Sequence, residues 1–250
     1  MKILYVTHCL PVGGAEAITV NYLLKMKERG ENVCLLEIAH VDSFLSERIK
    51  KSGITYRTLV SHSFLERALI RFIPSIFVKR FNKILREIGP DVVHYHTVYR
   101  FIEKVDFPLE RSVFTFHSRV ERSFNIGDYV KSLFDRLSHS GLHFIAISSK
   151  IEQDIKKIYP CANYRLIPNG VNLEEIRKKR INKDEIRRYL HLPTNSFIIG
   201  QVGRFDKVKN HFFSIDVFRI IAQRNENAIM VFVGNGNKEE TYLLNGLIKY

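Results

Sequence analysis

Three groups of residues in this chain have the chemistry to handle a charged substrate. Glycines form the first. Gly13-Gly14 stands between an apolar run and a helical pattern. Glycine there lets the backbone approach a ligand, while the free N–H groups and positive dipole of the helix start favour a phosphate. The same bend also serves as a tight strand-to-helix turn with no ligand. Gly234-Asn235-Gly236 repeats the situation after a later apolar run, where a plain turn is an equal explanation.

Cations form the second group. The stretch Gly203-Arg204-Phe205-Asp206-Lys207-Val208-Lys209-Asn210 follows the apolar run Phe197–Val202, and in open α/β sheets ligands bind beyond the carboxyl ends of strands. Arg204 can grip a phosphate through two parallel N–H bonds, and Lys209 adds a point charge. Cations at a helix start oppose its dipole unless an anion lies nearby; the alternative is that these side chains are simply solvated.

Imidazoles form the third. His117 ends the run Ser112–Phe116, where it could hydrogen-bond a sugar hydroxyl, share a transition-state charge, or play a structural part. His94 and His96 alternate on one predicted strand face, yet no third His, Cys or Asp joins them at ligand spacing, so no metal site is assigned. The chain has no GxxxxGK[ST] loop, and Gly13-Gly14 is not a GxGxxG fingerprint.

The elements that must carry these groups alternate between strand and helix. Strands are expected at Ile3–Val6, Val33–Ile38, Ile54–Leu59, Asp91–Tyr95, Ser112–Phe116, Leu142–Ile147 and Tyr164–Ile167. Read as continuous apolar runs, they indicate a mostly parallel sheet covered on both faces. Ala17, Val20 and Leu24 mark a first helix that stops at Gly30. After Pro168-Asn169-Gly170 the rhythm restarts: a basic helix-prone stretch from Leu173 to Leu190, a strand Phe197–Val202, a helix Asn210–Gln223, a strand Ala228–Val233, and a helix from Lys238 onward. The fold class is therefore α/β, with a complete Rossmann-like domain over 1–168 and an incomplete second one over 169–250.

Two hundred and fifty residues, 45% of them hydrophobic and 26% charged, argue against disorder and need no disulfide or metal staple. Three widely spaced cysteines, with no CxxC pair, exclude a disulfide scaffold or thiolate zinc ribbon and suit a reducing cytosol. The start does not read as a secretion signal, because the run Ile3–Val6 is broken by Thr7-His8, and no stretch nears the ~20 apolar residues of a membrane span. The net charge of +13 points to an anionic partner. Residues 64–86 interleave Phe64, Leu65, Ile70, Phe72, Ile73, Phe77, Phe81 and Ile84 with six Lys and Arg. Such a segment, kinked at Pro74, suits either an anionic membrane interface or an ordinary helix pair packed on the sheet. The second basic run, Arg177 to Arg180 with Lys183, Arg187 and Arg188, reads as a solvated linker face. No nucleic-acid-binding motif accompanies it, and no nucleic acid is expected as a partner.

In order and spacing the set resembles glycosyltransferase family 4, retaining enzymes of GT-B fold. The pieces are Pro11-Val12-Gly13-Gly14-Ala15-Glu16, Asp91-Val92-Val93-His94-Tyr95-His96, Phe114-Thr115-Phe116-His117-Ser118, Ala146-Ile147-Ser148-Ser149, Ile167-Pro168-Asn169-Gly170-Val171-Asn172, Val202 to His211, and Val233-Gly234-Asn235-Gly236. The resemblance implies two facing Rossmann-like domains and a sugar moved from a nucleoside diphosphate (UDP- or GDP-linked) to a glycan or lipid-linked acceptor. It implies that His117 is the active-site histidine beside the transferred sugar. Arg204, Lys209 and Gly14 would meet the donor diphosphate, and Gly13, Gly203, Asn169, Gly234 and Gly236 would line the cleft. It implies no cofactor or metal, and a cytoplasmic enzyme, peripheral at the inner face of the membrane, that builds surface polysaccharide or glycolipid. The family's pair of glutamates with seven residues between them has no counterpart here, so the match reads as C-terminally truncated. The alternative is a catalytically incomplete fragment that binds a membrane or an acceptor.

Overall fold

The computed structural model describes residues 1–61, 66, 74–120, 127–178 and 182–236. The chain divides into two compact units, Met1–Val171 and Asn172–Tyr250.

The first unit is built on seven strands: β1 (Lys2–Thr7), β2 (Asn32–Ala39), β3 (Thr55–Val60), β4 (Val92–His96), β5 (Ser112–Phe116), β6 (His143–Ala146) and β7 (Asn163–Leu166). They lie in the order β3-β2-β1-β4-β5-β6-β7, and every neighbouring pair is parallel. The apolar runs of β1, β2 and β5 are continuous because both faces of the sheet are covered there, while the edge strands β3 and β7 are largely exposed. Leu4 and Val6 of β1 pack with Phe81, Val93, Phe116, Phe134 and Phe144 on one face; Ile3 and Tyr5 pack with Val20, Leu23, Leu35 and Ile49 on the other. The order of strands reverses between β1 and β4, so the loops that leave their carboxyl ends diverge and open a crevice there.

Helix α1 (Gly14–Glu28) starts from Gly13 in extended conformation, with no side-chain cap, and the chain leaves it through Gly30 at φ +81°. That left-handed exit is one an L side chain resists. Helix α2 (Phe44–Lys51) carries a capping box between Ser43 and Ser46. Helix α3 (Pro74–Ile88) opens on proline, whose missing N–H costs nothing in a first turn. Its apolar side chains Phe77, Phe81, Ile84, Leu85 and Ile88 are buried in the core. Over its described part, 64–86 takes the alternative of a helix packed on the sheet: the apolar stripe of α3 is committed to the core. Lys79, Arg80, Lys83 and Arg86 remain at the surface, and residues 64, 65 and 67–73 lie outside the described residues. Helices α4 (Gly127–His139) and α5 (Ser149–Ile158) cover the same face as α3 through Val130, Phe134, Ile151 and Ile155.

In the second unit the stretch from Leu173 to Leu190 is two short helices, α6 (Leu173–Lys178) and α7 (Lys183–Tyr189), rather than one. Asn182 caps the second by accepting from the Asp184 N–H, a side-chain bond that starts a helix anew. The solvated reading of this run fails at Arg187. Its guanidinium is buried and donates to the Pro193 carbonyl at 2.6 Å and to the Ser196 carbonyl at 2.9 Å, which fastens α7 to the start of β8 (Phe197–Val202). β8 pairs in parallel with β9 (Ala228–Val233), and α8 (His211–Ala222) packs on them. The helix expected from Lys238 lies outside the described residues.

Candidate functional site

Four imidazole-bearing or hydroxyl-bearing elements meet at the carboxyl ends of β4 and β5. His96 closes β4 and is registered with Thr7 of β1 and Thr115 of β5. His117 follows β5, and its Nε2 lies 2.8 Å from His96 Nδ1. His94 sits two residues before His96 on the same face, with ring centroids 4.2 Å apart, and its Nε2 is 2.7 Å from Thr115 Oγ1. From α1, Thr19 Oγ1 reaches His96 Nδ1 at 3.2 Å. Tyr5 stacks on His96 with centroids 5.4 Å apart. Burial holds all three imidazoles uncharged. His94 is pushed down to about 3, by burial first and then by the nearby His117. His117 is pushed down to about 4 by burial, and His96 lies well below its ordinary value for the same reason, with His94 and His117 adding to it. Two polar atoms of the cluster, His96 Nε2 and His117 Nδ1, are buried without a hydrogen-bond partner among the described residues. Thr97, which follows His96, adopts φ +59°. A β-branched residue there is a strained outlier of the kind that gathers at functional sites. Among the described residues no group of three His, Cys, Asp or Glu side chains is placed to hold a metal ion.

The loop after β1 is held by a residue that the sequence reading passed over. Glu37 of β2 is fully buried and accepts from the Leu10 N–H at 2.8 Å, the Val41 N–H at 3.3 Å and the Tyr56 hydroxyl, with His40 Nδ1 at 2.7 Å. An acid inside the apolar run Val33–Ile38 is the signal that could have marked it, since a buried carboxylate persists only when its oxygens are paired. The loop it anchors leads to Gly13 and Gly14. A methyl at Gly13 would meet the Glu16 carboxylate, which already faces this helix start, whereas at Gly14 the space within 4 Å is open. After β7, the Gly170 N–H donates to the Tyr22 hydroxyl of α1 at 3.2 Å, and Asn169 Oδ1 is buried without a partner among the described residues.

The second unit carries the cations. Beyond β8, the N–H of Gly203 donates to the Val233 carbonyl at 2.9 Å and that of Phe205 to the Asn235 carbonyl at 2.8 Å, so Gly203–Phe205 continues the sheet alongside 234–236. The glycines here answer to the chain itself. A Cβ on Gly234 would overlap the Gly203 carbonyl, and one on Gly236 would lie 2.5 Å from Phe205 Cβ. Asp206 then caps the 3₁₀ turn Lys207–Lys209 by accepting from the Lys209 N–H at 3.0 Å. Its other oxygen pairs with Arg204 Nη2 at 3.1 Å, with the Arg204 side chain 74% exposed. The Lys209 stem passes Gly203 closely enough that a methyl there would touch its Cγ and Cδ at 3.5 Å. Arg204 and Lys209 thus project from one loop fixed by Asp206. Behind them His211 is buried between Phe205 and Phe232, at ring distances of 5.1 and 5.2 Å.

Comparison with known proteins agrees with this architecture. The model of glycosyltransferase family 4 matches residues 12–175, and that of glycosyl transferases group 1 matches residues 182–245. The glycosyltransferase EpsF of Bacillus subtilis (strain 168) is 24% identical over 253 residues, covering 94% of this chain and 62% of its own. The capsular polysaccharide biosynthesis glycosyltransferase CapH of Staphylococcus aureus is 25% identical over 250 residues, again covering 94% of this chain and 62% of its own. The crystal structure of a glycosyltransferase from Rickettsia africae ESF-5 shares the fold at a TM-score of 0.72 and 16% identity, over 99% of this chain and 64% of that one. The chain spans about three-fifths of the length of the curated relatives it matches. The first of the two family models runs from the loop after β1 into α6, most of the chain, and on that match the protein belongs to glycosyltransferase family 4.

Proposed function

We propose that this chain serves a retaining transfer of a sugar from a nucleoside diphosphate, UDP- or GDP-linked, to a glycan or lipid-linked acceptor in surface-polysaccharide or glycolipid assembly. The observation that carries the reading is the loop Gly203–Lys209, where Asp206 pairs with Arg204 and caps the turn that bears Lys209, leaving the Arg204 side chain open to an anion. As the anomeric C–O bond breaks, its electron pair passes to the diphosphate. Pre-positioned cations stabilise that charge without reorganising. The acceptor oxygen then bonds to the same carbon on the face the diphosphate leaves, and its proton passes to the departing diphosphate oxygen. CapH, named for capsular polysaccharide biosynthesis, supports the acceptor class.

His117 belongs beside the transferred sugar in this scheme. With its pKa pushed down to about 4, it is neutral near pH 7, so it contributes a hydrogen bond rather than a full positive charge. Gly14, with open space around it, is where a diphosphate or acceptor can approach the backbone. The localisation that follows is cytoplasmic and peripheral. Among the described residues of 64–86, the cations of α3 are the groups left to meet anionic lipid, since the apolar stripe of that helix is buried.

The test is titration of the chain with UDP, GDP and their sugars. Micromolar binding is expected, and Arg204→Ala and Lys209→Ala should each weaken it by about 2–5 kcal/mol if the contact is desolvated. Wild-type affinity in both variants would overturn the assignment, and no binding by the wild type would favour the acceptor-binding fragment.

A further inference from the structure

The hydrogen-bond arithmetic of the imidazole cluster leads beyond His117 itself. A neutral imidazole has one N–H and one lone pair, so across the 2.8 Å contact between His96 Nδ1 and His117 Nε2 one ring donates and the other accepts. Thr19 decides which. Its hydroxyl lies 2.9 Å from the Ala15 carbonyl, to which it donates, and this leaves an oxygen lone pair facing His96 Nδ1 at 3.2 Å. If Nδ1 carries the proton, one N–H serves two acceptors, Thr19 Oγ1 and His117 Nε2. If it does not, either two lone pairs face each other at Thr19 or two donors compete for a single lone pair. The first arrangement satisfies every group at the contact.

We propose that His96 is a positioning residue: by donating from Nδ1 to His117 Nε2 it places the proton of His117 on Nδ1, the buried atom that has no partner among the described residues. His117 then meets an oxygen of the sugar or the acceptor as a hydrogen-bond donor. The surroundings hold the tautomer. His96 is 1% exposed, with Tyr5 stacked at 5.4 Å and His94 at 4.2 Å, so its ring cannot turn without displacing these neighbours at the carboxyl end of β4. The strained Thr97 fixes the backbone immediately after it. This inference rests on the proposed role of His117 in sugar transfer, but the tautomer can be measured without any ligand.

Long-range ¹H–¹⁵N correlation of the ¹⁵N-histidine-labelled chain at pH 7, with His117 assigned from a His117→Gln spectrum, reads which nitrogen is protonated. His117 protonated on Nδ1 and His96 on Nδ1 are expected. His96→Phe, which keeps the ring but not the donor, should shift His117 toward Nε2–H and lower the turnover of UDP- or GDP-hexose by roughly tenfold to a hundredfold. Its KM should change little. His96→Asn, whose amide can donate from near the old Nδ1 position, should recover part of both losses. Finding His117 protonated on Nε2 in the wild-type chain overturns the proposal whatever the variants do, and so does an unchanged His117 tautomer in a folded His96→Phe. A wild-type Nδ1–H tautomer combined with full turnover in His117→Ala would instead overturn the role of His117 in transfer and leave the hydrogen-bond assignment standing.

Discussion

Adding one methyl group at Gly234 should disable the cation loop. The Cβ of Gly234→Ala would overlap the Gly203 carbonyl oxygen and lie 2.8 Å from its carbon, and these are backbone atoms that cannot swing aside like a side chain. Contacts under 3.0 Å do not persist at real Cβ atoms, so the segment Gly203–Phe205 must move away from 234–236. Overpacking of this kind costs about 1–3 kcal/mol, and a backbone obstacle places it toward the upper end. The displacement also strains the 2.9 Å and 2.8 Å bonds from the Gly203 and Phe205 N–H groups. Hydrogen exchange at those two amides, with titration by UDP, reads both effects: protection should fall and affinity should fall with it. Gly203→Ala is the control, because its methyl would rest against Lys209 Cγ and Cδ at an ordinary 3.5 Å. Wild-type protection in Gly234→Ala, or equal damage from Gly203→Ala, would refute the steric reasoning.

Acid should destabilise the first unit well before its carboxylates titrate. His94 and His117 are held neutral at about 3 and about 4 when folded, against about 6.5 unfolded, so their contribution is complete above pH 6.5 and is lost as pH falls toward the folded values. Urea titrations at pH 7 and pH 5 should therefore show a slope of up to about 1.4 kcal/mol per pH unit for each histidine, flatter in His94→Phe; a slope unchanged by that variant counts against the assignment. Asp154, lowered by its Arg119 pair, acts only below its ordinary value of 3.8 and does not confuse that window. Thr97→Asn, which tolerates positive φ, should raise stability by about 1 kcal/mol in thermal unfolding, whereas a fall would show that the Thr97 conformation carries no strain. Gly14→Ala, with nothing within 4 Å of the new methyl, should gain up to about 0.5–1 kcal/mol while UDP affinity drops. Stability gained with no loss of affinity would make Gly14 a turn residue only.

The inner strands β1, β2 and β5 were legible because the sheet is covered on both faces there, so that they show as apolar runs, whereas the edge strands β3 and β7 are largely exposed; strand ends shift by a residue or two, as at Thr55–Val60 and His143–Ala146. The amphipathic stripe of 64–86 was ambiguous for a physical reason. A helix that packs on a sheet and one that lies in a membrane need the same spacing, and only the burial of Phe77 and Phe81 separates them over the described part. Arg187 was misread because charge alone carries no sign of the carbonyls that receive it. Period-two spacing placed His94 and His96 on one face, yet it could not reveal that His117 from the next strand meets His96 across the sheet edge.

The two glycine-bearing loops of the second unit also change meaning once they are seen together. Read separately, Gly203–Asn210 and Gly234–Gly236 each offered a backbone bare enough for a ligand to approach. In the structure they face each other: the amides of Gly203 and Phe205 are already bonded to the carbonyls of Val233 and Asn235, and Gly234 and Gly236 are small because the opposing backbone fills their space. Neither loop can shift alone. The consequence falls on the cations, because Arg204 lies between the two bonded residues and Asp206, which orients it, follows directly. Glycine in this motif therefore acts through rigidity. It lets two strand ends close on each other, and under the proposed function that closure would set where Arg204 meets the developing charge.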